Sequence, residues 1–262
     1  MNSLKWINTI AFLIMIGVNA VANILPIGGN TTGEVSKAYP NLFTPAPITF
    51  AIWGIIYLLM LIFILFQWGF IGNRAFTSLV RDEIGIVFAI SCIFNIAWIF
   101  AWHMKRIEIS TILIVLLLLS LIVITRRVSR TNGSLLTYLM VNVGFDIYFG
   151  WIIAATIANI SVMLTKWKWD GWGISDVTWT IIILIVGAII ASLVVIMDNR
   201  YFSGIAVIWA YIGIIIKHLG SSGYGGIYMT IVFAAAIGIV FIGCSTIYRL
   251  ISPNPKYWVA QG

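Results

Sequence analysis

Phe50-Ala51-Ile52-Trp53-Gly54-Ile55-Ile56-Tyr57 lies near the start of a stretch, residues 47–69, that carries no charged side chain anywhere along its length. A helix needs roughly 20 mainly apolar residues to cross a bilayer, and this stretch supplies them. Working outward, the same reading applies at about 5–25, 84–104, 108–126, 138–164, 177–197, 202–218 and 227–250, making eight apolar spans. The seventh is short for a full crossing, and the fifth is long enough to extend past the bilayer. Composition agrees. The chain is 61% hydrophobic and 9% charged, with a mean hydropathy of +1.07, whereas soluble domains carry about 25% charged residues. No water-soluble fold hides so much apolar surface. The expected fold class is therefore an all-α integral membrane protein with about eight transmembrane helices.

The connections carry the remaining polarity. The longest runs from Leu25 to Ala46 and contains Gly28-Gly29-Asn30-Thr31-Thr32-Gly33, Tyr39-Pro40 and Pro45-Ala46-Pro47. Glycine and proline punctuate it as a structured loop rather than a helix. A loop of this length is either a functional lid or a surface loop with turns. At the N-terminus, Lys5, an apolar run and Ala20-Val21-Ala22 loosely resemble a secretory signal. Asn19 and Asn23 interrupt that run, so it reads as a retained first helix whose two amides suit hydrogen bonds to a neighbouring helix.

The formal charge of +7 comes with no long basic run. It points to membrane orientation and lipid-headgroup contact, and away from nucleic acid. With eight spans both termini share one side. Lys5, Arg74, Arg81, Arg126, Arg127, Arg130, Arg200, Arg249 and Lys256 fall there, against six cations opposite, which favours cytoplasmic termini. Trp167, Trp169, Trp172 and Trp179 flank the fifth connection as an interfacial belt would. Cys92 and Cys244 lie within spans and form no metal-ligand spacing.

Three spans carry polar and aromatic residues at helical spacing. Phe50, Trp53 and Tyr57 share a face of the second span; Asn95, Trp98 and Trp102 repeat the spacing on the third; Tyr148, Trp151, Ala155 and Asn159 do so on the fifth. Such faces could converge on a cavity that offers stacking surfaces and a few directional donors, which suits a flat, mostly apolar ligand. The competing reading is helix-on-helix packing, with the amides as interhelical glue. Asp146 is the acid deepest within a span, and an intramembrane carboxylate is a functional candidate by default. Placement near the headgroups is its bland alternative. His103 and His218 sit at span ends; haem ligation is open to each, and a solvated interfacial histidine is the ordinary reading. Lys217 reads as a snorkelling side chain. The motifs of nucleophilic and metal-dependent hydrolysis and of phosphate-binding loops are missing.

Taken in order, these residues resemble the translocator protein family, also called tryptophan-rich sensory proteins or peripheral-type benzodiazepine receptors. The family's second helix follows a proline pair and continues through an aromatic, a Trp and a Tyr four residues later; here Pro45-Ala46-Pro47 precedes Phe50, Trp53 and Tyr57. Its third helix carries Asn-x-x-Trp, matched by Asn95 and Trp98. Its fifth carries Tyr, Trp, Ala-Thr and Asn, matched by Tyr148, Trp151, Ala155, Thr156 and Asn159. Three departures stand beside the match. Ala46 interrupts the proline pair, Ile147 replaces a proline before the Tyr, and Ile99-Phe100-Ala101-Trp102-His103 replaces Ser-Pro-x-Phe-Phe.

The resemblance covers roughly the first 165 residues. It implies two parts: residues 1–165 as a five-helix bundle with an internal pocket beneath the first loop, and residues 166–262 as a three-helix extension of the kind found in larger bacterial variants. It further implies a bacterial plasma-membrane location, a homodimer, and a hydrophobic small-molecule ligand such as a porphyrin, haem or lipid. Trp53, Asn95 and Trp151 would contact the ligand most directly, with Tyr57, Trp98, Tyr148 and Ala155 as walls. Sensing or transport is the favoured role. The rivals are a secondary transporter or exporter permease subunit, a porphyrin-degrading membrane enzyme, and a scaffold whose last three helices dock a partner.

Overall fold

Lipid offers no hydrogen-bond partner to a peptide group, so an apolar segment in a bilayer must close its own backbone bonds as a helix. The computed structural model, which describes residues 2–25, 27–71, 74–128 and 138–252, follows that rule. Its helices are α1 (Asn2–Ile24), α2 (Thr32–Lys37), α3 (Ile52–Gln67), α4 (Arg74–Ile84), α5 (Val87–His103), α6 (Ile107–Val128), α7 (Val143–Lys166), α8 (Asp176–Asp198), α9 (Tyr201–Leu219) and α10 (Met229–Ile251). A 3₁₀ turn, Pro47–Ala51, leads into α3, and a π turn, Tyr138–Asn142, leads into α7. Among the described residues seven segments are long and apolar enough to cross a membrane, and α5 is a shorter apolar helix. The chain is thus a multi-pass, all-α membrane protein of about eight apolar helices. Arg130 and Lys256, two of the cations used to orient it, lie outside the described residues, as do the side chains of Asn23 and Arg74.

Three expectations are corrected in detail. The short span is the third rather than the seventh: α5 has 17 residues, about 25 Å at 1.5 Å per residue, while α9 has 19. The third span begins at Val87 because Gly85, at φ 54°, turns the chain after a separate helix, α4. That helix holds Arg81, Asp82 and Glu83, so it escapes a search for apolar runs. Finally, the first connection is not free of helix, since α2 occupies six of its residues.

The described residues fall into two compact units, 2–32 with 53–149, and 33–52 with 150–252. In the first, Phe12, Phe63, Phe88 and Phe145, one each from α1, α3, α5 and α7, are fully buried. Phe63 meets Phe88 at 5.0 Å and Phe145 at 5.1 Å, edge to face, the geometry that aromatic quadrupoles prefer. Asn8 Nδ2 donates to Gln67 Oε1 at 3.2 Å, and the Trp68 indole donates to Thr9 Oγ1 at 3.0 Å, which ties α1 to the end of α3.

In the second unit α8, α9 and α10 pack through small residues, among them Ala188, Ala191, Gly204, Ala206, Ala235 and Gly238. Between apolar helices in lipid, close backbone approach supplies the attraction that water would otherwise drive. The opposite face of α8, with Ile185, Ile189, Leu193 and Met197, is exposed, as a lipid-facing surface should be. Tyr211 fills the space left by Gly187 and Gly238, and its hydroxyl donates to Leu184 O at 2.5 Å.

Candidate functional site

The helical spacing on α3, α5 and α7 brings five of the expected residues together within the first unit. Trp53 is the hub. Its ring lies 5.5 Å from Tyr57 and 6.0 Å from Trp98 at interplanar angles of 25° and 30°, and Tyr148 meets it edge-on at 5.9 Å. Trp98 continues to Trp102 at 6.1 Å and 23°. Tyr57, Trp53, Trp98 and Trp102 therefore form a near-parallel ladder. Its far end is tied to the start of the first connection, because the Trp102 indole donates to Thr32 O at 3.2 Å and His103 Nε2 bonds Thr32 Oγ1 at 2.9 Å.

A polar strand runs beside the rings. Asn95 is fully buried; its Oδ1 accepts from Asn19 Nδ2 at 2.8 Å, and its own Nδ2 donates to the Tyr148 hydroxyl at 3.0 Å. Asn19 also donates to Met15 O at 2.9 Å. Asn19 thus joins the site through α1, by the bond to a neighbouring helix expected of it from the sequence. Trp98 is 5% exposed, and its buried Nε1 has no hydrogen-bond partner among the described residues. Most buried polar groups in folded proteins are paired, so a buried indole N–H left open beside stacked rings is a ready donor for a ligand acceptor.

Asp146 is buried in the first turn of α7. Two residues from Tyr148, it sits on the other side of that helix. In the second unit Phe50 meets Trp151 edge-on at 6.0 Å. Asn159 and Trp151 are buried, and Ala155 is half-buried, further along α7.

The first connection, from Gly33 onward, has an anchorage of its own in this second unit. Ala46 N donates to Gly213 O at 2.9 Å, the Trp209 indole to Thr49 O at 2.9 Å, and the Tyr224 hydroxyl to Asn41 O at 3.1 Å. His218 Nε2 lies 2.9 Å from Leu42 O; a carbonyl only accepts, so Nε2 carries the proton. The expectation of solvated interfacial histidines is corrected here. His218 is fully buried and His103 is 1% exposed, each engaged through Nε2. Among the described residues no group of three or more His, Cys, Asp or Glu side chains is placed to hold a metal ion.

A family model described as TSPO-like protein matches residues 5–248. The match therefore runs on through α8, α9 and most of α10, beyond the motifs on the second, third and fifth spans. No curated protein and no solved structure matches the chain.

Proposed function

This chain belongs to the TSPO-like protein family, and we propose that it binds a flat, hydrophobic small molecule, a tetrapyrrole or lipid, in a receptor or transporter-like role. The observation that carries the reading is the buried, open Trp98 indole N–H within the Tyr57–Trp53–Trp98–Trp102 ladder. Rings supply stacking to any π-face, and one or two fixed donors set orientation. All the groups in this cluster are neutral and none is an activated nucleophile, which favours a binder over an enzyme. Phe50 and Trp151 offer a further aromatic pair. The balance of cations supports cytoplasmic termini, and the family membership is in keeping with a bacterial plasma-membrane location.

The test is the double variant Trp53→Phe/Asn95→Ala, kept only if its melting curve remains cooperative. We expect affinity for protoporphyrin IX to fall at least about tenfold, since a stacking surface and an orienting amide each contribute on the order of 1 kcal/mol. Equal affinity in the double variant removes the site assignment. Substrate flux in liposomes, or a light-dependent product from purified protein, would move the reading to a transporter or to an enzyme.

A further inference from the structure

A cavity of about 110 Å³ lies wholly within the second unit, and its chemistry differs from that of the aromatic ladder. Its polar lining comes from Ser36, Lys37, Asn41 and Thr44 on the first connection and from Lys217 and Tyr224 at the end of α9 and the turn beyond it. Two of the lining side chains are cationic and none is acidic. Lys37 makes no hydrogen bond or ion pair among the described residues, and the Lys217 ammonium sits with Nζ 5.7 Å from the centroid of the Tyr224 ring, its charge also felt by the neighbouring His218. Glu34, one turn before Lys37, is exposed and does not line the cavity. An anion seated among these residues would meet two cations and no carboxylate of the lining.

The walls are fixed by bonds rather than by the cavity's contents. Asn41 Oδ1 accepts from Phe43 N at 3.1 Å, from Thr44 N at 3.0 Å and from Thr44 Oγ1 at 3.1 Å. The Tyr224 hydroxyl clamps Asn41 O, and the Ala46 and His218 bonds described above hold the segment on α9. Burial, with Tyr228 beside it, pushes the Tyr224 phenol up, so this tyrosine stays neutral and adds no negative charge. Pro40, Pro45 and Pro47 complete the rim, and Phe50 lines the apolar side. Lysine is a compact point charge on a flexible stem and serves well as a phosphate ligand.

We propose that this pocket binds a phosphate-type oxyanion between Lys37 and Lys217, a site separate from the aromatic ladder. The charge requirement is the same whether the group is free phosphate or the headgroup of an anionic lipid, so the experiment must separate the two. Purified protein in neutral detergent and phosphate-free buffer is titrated calorimetrically with sodium phosphate, with dioctanoyl phosphatidic acid and with dioctanoyl phosphatidylcholine. Lys37→Gln, Lys217→Gln and the double variant are measured alongside, with Lys168→Gln as the control, since Lys168 is exposed and does not line the cavity. Each single change removes a charge-assisted hydrogen bond, so each should weaken binding about tenfold or more while the control is unaltered. Binding of phosphatidic acid without phosphate assigns a lipid headgroup; binding of both assigns a site open to the free anion. The proposal is overturned if neither anion binds, if phosphatidylcholine binds equally well, or if the double variant retains wild-type affinity. Should the double variant fail to fold, Lys37→Gln alone decides, because that side chain is exposed. No arm uses a tetrapyrrole, so this outcome is independent of the aromatic site.

Discussion

Gly150→Val should leave little folded protein after detergent extraction. A Cβ at this position of α7 would collide with the Ser203 carbonyl oxygen and lie 2.7 Å from Ser203 Cα and 2.8 Å from its carbonyl carbon. Those are backbone atoms of α9, so no rotamer change relieves the clash and the helices themselves must separate. Overpacking that side chains can absorb costs about 1–3 kcal/mol. Where the backbone must yield, about 3 kcal/mol or more is expected, a large part of a typical stability of about 5–15 kcal/mol. Gly54→Ala and Gly243→Ala are the controls. Nothing lies within 4 Å of a Cβ at either position, and both are helical, so alanine should be neutral or stabilising by up to about 1 kcal/mol. Thermal melts of the three proteins in one detergent check the contrast. A Gly150→Val protein that melts with the wild type would show that α7 and α9 do not approach closely at Ser203.

Asn95→Leu carries the second large effect. Side-chain hydrogen bonds between membrane helices average only about 0.6 kcal/mol, so two lost bonds are minor by themselves. More of the cost lies in the group left behind, since a buried, unpaired polar atom costs about 1–3 kcal/mol. Asn19 keeps its bond to Met15 O and loses little. The Tyr148 hydroxyl, in a side chain 1% exposed, loses the bond that Asn95 supplied. We expect about 1–3 kcal/mol of destabilisation, and partial recovery in Asn95→Leu/Tyr148→Phe, where the orphaned hydroxyl is gone. Thermal melts decide. Equal melting of the single and double variants would mean that the Asn95–Tyr148 bond carries none of the cost.

The parts of this architecture that depend on composition and period were legible in the sequence. Runs such as 47–69 can only be helices in lipid, and the i, i+3, i+7 spacing on the second, third and fifth spans placed Trp53, Tyr57, Asn95, Trp98 and Tyr148 on faces that do meet. Trp102 extends the ladder through the same spacing, one turn beyond Trp98. What stayed hidden has specific causes. Helix α4 mixes charge with apolar residues and gives no hydropathy signal. The first connection is set by bonds to Trp209, Gly213, His218 and Tyr224, partners some 160 or more residues away. No local pattern encodes such pairings. The same distance concealed the lysine pocket, because Lys37 and Lys217 look like unrelated loop-end cations until the chain folds. The histidines misled for a related reason: a span-end position reads as interfacial, yet Leu42 O and Thr32 Oγ1 give each ring a bond within the protein.

Whether the aromatic ladder is a ligand site is decided by titrating purified protein with protoporphyrin IX while following tryptophan fluorescence, with Trp53→Phe and Trp98→Phe in parallel. Each variant keeps an apolar ring in place, but Trp98→Phe removes the open indole N–H and Trp53→Phe shrinks the hub of the stack. A ligand site at the ladder predicts saturable quenching in the wild type that weakens clearly in both variants, with their melting curves unchanged. Absent quenching in the wild type, or affinity indifferent to both substitutions, would contradict it and leave the ladder as helix packing alone.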